Sequence, residues 1–162
     1  MAAPKFEVLT ANRFFLELKL KNSKEPIDGY FMECQGFKRS QELIEICEVT
    51  PEKWGQHNSS VGRVVRTKIP GNMKSENITL RRGMTISTTL WNWFKTVEEG
   101  GWATERKDGD LVIYDQAANE KARFRFEGAW PTSYKISDVK ADSSEFEIEE
   151  LELAVDRFIR IK

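Results

Sequence analysis

A period of two runs through most of the chain. Within residues 13–20, Phe14, Leu16, Leu18 and Leu20 fall on one side, and Arg13, Glu17 and Lys19 on the other, with Phe15 the exception. That alternation predicts a half-buried strand. The polar stretch 22–26 supplies a turn after it. Residues 29–37 and 42–49 read as two further strands, joined by a polar turn near Arg39, Ser40 and Gln41. A strand over 63–69 is stopped by Pro70, Gly71 and Asn72, and another over 77–82 is closed by Gly83. Leu90, Phe94 and Val97 lie at helical spacing, with Trp91 and Trp93 flanking the stripe, so 87–98 reads as a helix. Ser87 or Thr88 caps its start, and Gly100-Gly101 ends it. Asp108-Gly109 predicts a tight hairpin between 102–106 and 111–114. Over 121–128, Ala122, Phe124 and Phe126 alternate with Arg123, Arg125 and Glu127. Pro131 then interrupts, before a weaker strand over 133–139. In the last strand Phe146 and Ile148 sit on even positions, but Leu151, Leu153 and Val155 on odd ones. A phase slip of that kind, here at Glu149-Glu150, marks a β-bulge or bend.

One segment breaks the pattern. Residues 51–62 lack periodicity and are rich in Gly, Asn and Ser, which predicts a long exposed loop. No linker, low-complexity tract or repeat divides the chain, so residues 1–162 read as a single domain. The fold class is mainly β, with about ten strands and one helix. Strands this numerous must hide their edges by closing into a barrel or by pairing with copies of the same chain.

Composition narrows the function. The 162 residues include 25 Lys and Arg against 26 Asp and Glu, a net charge of -1. Phosphate binding wants a cationic surplus on one face, so nucleic acid is not the expected principal partner. The near balance also leaves self-association unopposed. The first residues lack a basic start followed by a long apolar run, and no stretch approaches the ~20 apolar residues of a membrane helix. The expectation is synthesis in the cytosol, without a stable membrane anchor.

The residues that carry chemistry are few. His57 is the single histidine, and Cys34 and Cys47 are the two cysteines, too few for a zinc site of the usual kind. A turn at Ser40-Gln41 would set the cysteines opposite each other on neighbouring strands, but two reduced thiols are the default in the cytosol. His57 has Trp54, Gln56 and Asn58 around it and no motif naming a nucleophile or carboxylate partner. The last strand carries Glu145, Glu147, Glu149 and Glu152 along an extended backbone, whereas calcium sites use a turning loop. A solvated face is expected there, or cross-strand pairing with Arg123 and Arg125. Arg63, Arg66, Lys68, Arg81 and Arg82 lack the interleaved aromatics of a nucleic-acid surface, which favours ion pairing between strands or subunits. The glycines accompany no phosphate-loop motif. No catalytic constellation, metal or cofactor is indicated, and an enzyme is not expected.

Several segments, in order, resemble one family. Residues 12–17 followed by 29–37 resemble the start of tail tube proteins of contractile phages. Ile69-Pro70-Gly71 and then Asn77-Ile78-Thr79-Leu80-Arg81-Arg82-Gly83 resemble its most recognisable stretch. The helix with Trp91 and Trp93, the stretch 106–110, the run 124–131 and the ending 147–154 also fit. The resemblance spans roughly residues 10–160. The family includes tubes of phage tails, of phage-like injection systems and bacteriocins, and more distantly the tube protein of type VI secretion.

The resemblance implies two packed antiparallel sheets forming a small barrel or sandwich, with one flanking helix. It also implies hexameric rings stacked into a rigid tube within a contractile sheath. Contraction would drive the tube through a target envelope, with DNA or a protein effector in the lumen. Implied partners are further copies of the chain, the sheath protein, and the baseplate and tube-terminating proteins. Trp54, Gln56, His57 and Asn58 become candidate ring-stacking residues. Glu42, Glu45, Glu48, Arg63, Arg66, Lys68, Glu147 and Glu149 become candidate lumen or subunit-contact charges. An injection-system tube is preferred to a phage tube conducting DNA. A monomeric ligand-binding β-barrel of the lipocalin kind is the competing reading, and the helix between strands counts against it.

Overall fold

The structure, a computed structural model, describes residues 8–19, 31–49 and 64–162. The strands are β1 (Phe14–Lys19), β2 (Glu33–Gln35), β3 (Arg39–Val49), β4 (Val64–Ser75), β5 (Ile78–Gly83), β6 (Lys107–Tyr114), β7 (Glu120–Ile136), β8 (Ile148–Ala154) and β9 (Arg157–Arg160). The helix α1 is Thr89–Thr96, extended by a π-helical turn, Val97–Gly101. The chain forms two compact units, one holding residues 39–74 and the other the remainder.

In the larger unit the strand order is β1-β6-β7-β8-β5-β2, with β9 added to β7. All the registered pairs are antiparallel. The long strand β7 belongs to two layers. Its first half pairs with β6 and β9, and its second half with β8. The inner faces of both layers share one core of Leu16, Leu18, Ile78, Leu80, Leu111, Phe126, Ala129, Leu151 and Leu153, joined by Leu90 and Trp93 of α1. Burying each large apolar side chain there contributes about 1.5–3 kcal/mol. This matches the expected pair of packed antiparallel sheets with one helix. The strand order does not close into a barrel, because β1 and β2 are its two ends among the described residues.

Several local expectations are corrected. Asp108-Gly109 makes no turn but lies inside β6, where Gly109 stands opposite Leu18 and Phe126. A Cβ at Gly109 would overlap the Phe126 ring, so glycine serves close packing there. The register shifts between Lys107 and Gly109, and Gly128 of β7, at φ 67, donates its N–H to the Asp108 carboxylate at 2.8 Å. The turn joining β6 to β7 is residues 115–119, where Asp115 Oδ1 accepts from the N–H groups of Ala117 (2.9 Å) and Asn119 (2.8 Å).

Proline does not end strands here. Pro131 is buried in β7 opposite Leu153, with a register shift just after it. Strand β9 reaches only to Glu127, so β7 has β8 alone as partner at that point, and a missing N–H is tolerated. Likewise β4 runs through Pro70-Gly71-Asn72 to Ser75, and Arg39, Ser40 and Gln41 begin β3 instead of forming a turn.

The phase slip in the last strand is absent as well. Glu149 is buried in phase with Leu151 and Leu153. A carboxylate occupies a core-facing position, which breaks the apolar count and leaves the geometry intact. The helix begins after Thr88, whose hydroxyl makes no capping bond to the backbone, and turns out at Gly100 (φ 102).

The smaller unit is the hairpin β3–β4, a two-stranded sheet. A Cβ at Gly71 would lie 3.1 Å from Glu42 Cβ and 3.1 Å from Ile44 Cγ1, and Glu45 reaches Arg66 at 3.4 Å. Even positions of β3 therefore share a face with odd positions of β4. One face presents Ile44, Ile46, Val65, Ile69 and Met73. The other presents Glu45, Cys47, Arg66 and Lys68 with Leu43, Val49 and Val64.

Candidate functional site

The hairpin is a candidate contact surface because of what it leaves uncovered. Ile44, Ile46, Val65, Ile69 and Met73 are 37 to 51% exposed, side by side on one face. A lone two-stranded ribbon is marginal in water, and a contiguous apolar patch on it marks a contact surface. Glu42 and Glu48 lie on β3 with these residues, and Glu45, Arg66 and Lys68 lie on the opposite face. Trp54, Gln56, His57, Asn58 and Arg63 lie outside the described residues.

The remaining candidate charges behave differently from one another. Glu147 accepts a hydrogen bond from the Ser137 hydroxyl at 2.6 Å and stands just before β8. Glu149 is 3% exposed and bound on both oxygens, by Arg82 Nε at 2.6 Å and by the Tyr134 hydroxyl at 2.7 Å. It is a buried structural charge and faces no solvent. Burial first, and then the bond to Glu149, push the Tyr134 hydroxyl up to about 12. Trp91 and Phe94 of α1 lie against the Tyr134 ring, with centroids 5.2 and 6.2 Å away.

The expected pairing of the last strand with Arg123 and Arg125 is not found. Those arginines hold Asp110, at 2.7 Å and 2.8 Å, and Arg123 also holds Glu120 at 2.8 Å. Arg123 keeps the Glu120 carboxyl below its ordinary range. The glutamates of β8 pair instead with β5, through Arg82–Glu149 and through Arg81 Nε to Glu150 at 3.2 Å. Arg81 also reaches Glu33 of β2 at 2.8 Å, and that bond lowers the Glu33 carboxyl.

The cysteines are not neighbours in a sheet, since β2 pairs with β5 and β3 with β4. Both are free. Burial raises the Cys34 thiol to about 12, aided by the Glu33 charge. Lys107 is also buried, with its Nζ 3.9 Å from the centre of the Trp93 ring. Burial lowers its amine to about 8, opposed by Glu105. The spacing of residues along the chain did not mark Lys107, since a lysine at a strand start ordinarily faces water. Among the described residues no three of His, Cys, Asp and Glu gather as metal ligands, and no helix is long and apolar enough to cross a membrane.

The described residues thus define a mainly β protein, with a two-layer antiparallel unit carrying one helix and a separate two-stranded unit. The family model described as "T4-like virus tail tube protein gp19" matches residues 10–159, and the chain belongs to that family. It is a structural tube protein of a phage tail or tail-like particle. Solved structures bear the same fold. The tube complex with sheath of the extracellular contractile injection system PVC, in its extended state, is 25% identical over 94% of this chain and 90% of that chain, with a TM-score of 0.71. The PVC sheath/tube terminator structure is 25% identical over 99% of this chain and 100% of that chain, with a TM-score of 0.74. The tube-terminating cap of the anti-feeding prophage is 20% identical over 99% and 95%, with a TM-score of 0.75. No curated protein matches.

Proposed function

We propose that this chain builds the inner tube of an extracellular contractile injection system. Copies join into hexameric rings, and the rings stack into a hollow tube enclosed by a contractile sheath. Baseplate and terminator proteins close its ends. Contraction of the sheath drives the tube through a target envelope, and the lumen holds the passenger. The chain is synthesised in the bacterial cytoplasm and works mechanically, without catalysis. The likeness to the PVC tube supports the injection-system form over a phage tail.

The observation that carries this reading is the β3–β4 hairpin, where Ile44, Ile46, Val65, Ile69 and Met73 are 37 to 51% exposed on one face. Burial against another copy covers that face, and the adjacent Glu42 and Glu48 then set orientation through charge. The proposed ring-to-ring contact is made by Trp54, Gln56, His57 and Asn58, and Arg63 is a proposed lumen or subunit-contact charge. The test is the double substitution Ile44→Asp with Ile69→Asp. The isolated chain should keep its circular dichroism and melting temperature, while tubes vanish from electron micrographs. Normal tubes from the double variant would reject the hairpin as the assembly contact.

A further inference from the structure

We propose that the buried cluster Arg82, Glu149 and Tyr134 is a register lock. It selects one alignment of β5, β8 and β7 among several that the apolar pattern allows, and its use is that selection instead of stability. The apolar pattern does not select by itself. In the observed register Ile78 stands opposite Leu153, and Leu80 opposite Leu151. A slip of two residues keeps every side chain on its own face of the sheet. One such slip sets Leu80 opposite Leu153, and the reverse slip sets Ile78 opposite Leu151, so apolar groups still meet in the core.

The charged pair removes that ambiguity. Arg82 and Glu149 are each 3% exposed, stand opposite each other and are joined at 2.6 Å. In the first slip Arg82 faces Leu151. In the second Arg82 meets Glu147, but Glu149 is left opposite Leu80. Either alignment strands a charge in the core, which costs far more than one imperfect apolar contact. Tyr134 carries the lock into β7. The pairing of β7 with β8 shifts after Pro131 and resumes at Ser133, and the Tyr134 hydroxyl donates to Glu149 Oε1 at 2.7 Å. Trp91 and Phe94 rest on the same ring, so the placement of α1 follows from it.

The next step of the ladder shows what an exposed pair does not do. Arg81 and Glu150 stand opposite each other at 3.2 Å, with side chains 37 and 33% exposed. In a slipped alignment water takes over both charges, so this pair discriminates little. A buried ion pair, for its part, stabilises a fold little more than a well-packed apolar pair of the same volume does. Uniformity is what it supplies. A two-residue slip moves a strand by about 7 Å. Resting on the tube reading, a slipped copy would fit neither of its neighbours in an assembly that repeats the same contacts at every copy.

The test compares Arg82→Met with Glu149→Leu, Arg81→Met with Glu150→Leu, and the unsubstituted chain. Each is followed by urea unfolding, by amide NMR spectra of the unassembled chain and by electron micrographs. The buried double variant should unfold at a urea concentration close to that of the unsubstituted chain, yet give more than one amide signal for residues of β5 and β8 and lose long tubes. The exposed double variant should keep one signal per residue. One signal per residue in the buried double variant overturns the proposal, whatever its tubes. So does a buried double variant that fails to fold or unfolds as early as Arg82→Met, because the pair then serves stability. Multiple signals in the exposed variant alone overturn it too. Failure of the unsubstituted chain to form tubes would strike the tube reading, and the NMR comparison would still decide the lock.

Discussion

Strands β5 and β8 and strands β3 and β4 are written in the same alternating pattern and end in opposite conditions. In the first pair every second side chain is buried, and in the second pair almost none is. Apolar periodicity therefore says that a face will be covered, without saying by what. In the β5–β8 region the cover is the chain's own second layer. The hairpin residues Ile44, Ile46, Val65, Ile69 and Met73 stay 37 to 51% exposed, and on the proposed tube reading a neighbouring copy covers them.

The largest effect that would sharpen this contrast comes from the core. Phe126 is wholly buried beneath both layers, and Phe126→Ala should cost about 3–5 kcal/mol in urea unfolding of the monomer. An equally drastic truncation on the hairpin, Ile44→Ala, should change monomer stability by less than about 0.5 kcal/mol. Comparable losses at the two positions would erase the distinction between a covered and an uncovered face.

The buried ion pair gives the next largest effect. Arg82→Met leaves the Glu149 carboxylate in the core with Tyr134 alone, at a cost of about 3–5 kcal/mol. Adding Glu149→Leu should restore most of that loss, because an apolar pair of similar volume fits a site flanked by Leu151. A double-mutant cycle measured by urea denaturation checks it. A double variant as unstable as Arg82→Met would mean that the pair is favourable in its own right.

Residues 14–19, 78–83 and 121–128 were legible in the sequence because their polar and apolar positions alternate, Phe15 excepted, and the helix because its aromatic stripe ends at two glycines. The errors cluster where one residue type has two uses. Asp108-Gly109 reads as a turn, yet it is a bulge site whose glycine admits the Phe126 ring. Pro70 and Pro131 read as stops, yet strands run through both. Glu149 reads as a surface charge because its partner Arg82 is 67 residues away in the chain. Glu42, Glu45, Glu48, Arg66 and Lys68 were read as strand residues, and they lie on β3 and β4. Their division between two faces could not be read, since it depends on the register set near Gly71.

A smaller, pH-dependent effect belongs to Lys107. Its amine titrates at about 8 in the folded chain and near its ordinary 10.5 when unfolded. Below about pH 8 both states are protonated, and the full cost of burying the cation is present. Between about 8 and 10.5 the unfolded state binds more protons, so stability rises with pH. The whole rise is at most about 3 kcal/mol, and the Trp93 ring offsets part of the cost at low pH. Lys107→Met should be more stable at pH 7 by about 1–2 kcal/mol and should lose the rise in this window. An unchanged slope of unfolding free energy against pH would assign the rise to another group.

The smallest expected effect lies in the ion pair that the hairpin keeps, Arg66 with Glu45 at 3.4 Å, the arginine side chain 71% exposed. Set beside Arg82–Glu149 it isolates burial as the variable, since the chemical groups are the same. An exposed pair gains little Coulomb energy in water and gives much of it back as side-chain entropy, so Arg66→Ala should move monomer stability by under about 0.5 kcal/mol. The same substitution should act on assembly, where covering the hairpin removes water from around the charge. The salt concentration at which tubes come apart should therefore shift in Arg66→Ala, followed by sedimentation, although the monomer melts as before. If neither quantity moves, that charge lies on a face that stays wet in the tube. If only monomer stability moves, the hairpin is already covered within its own chain, and the two regions differ in degree alone.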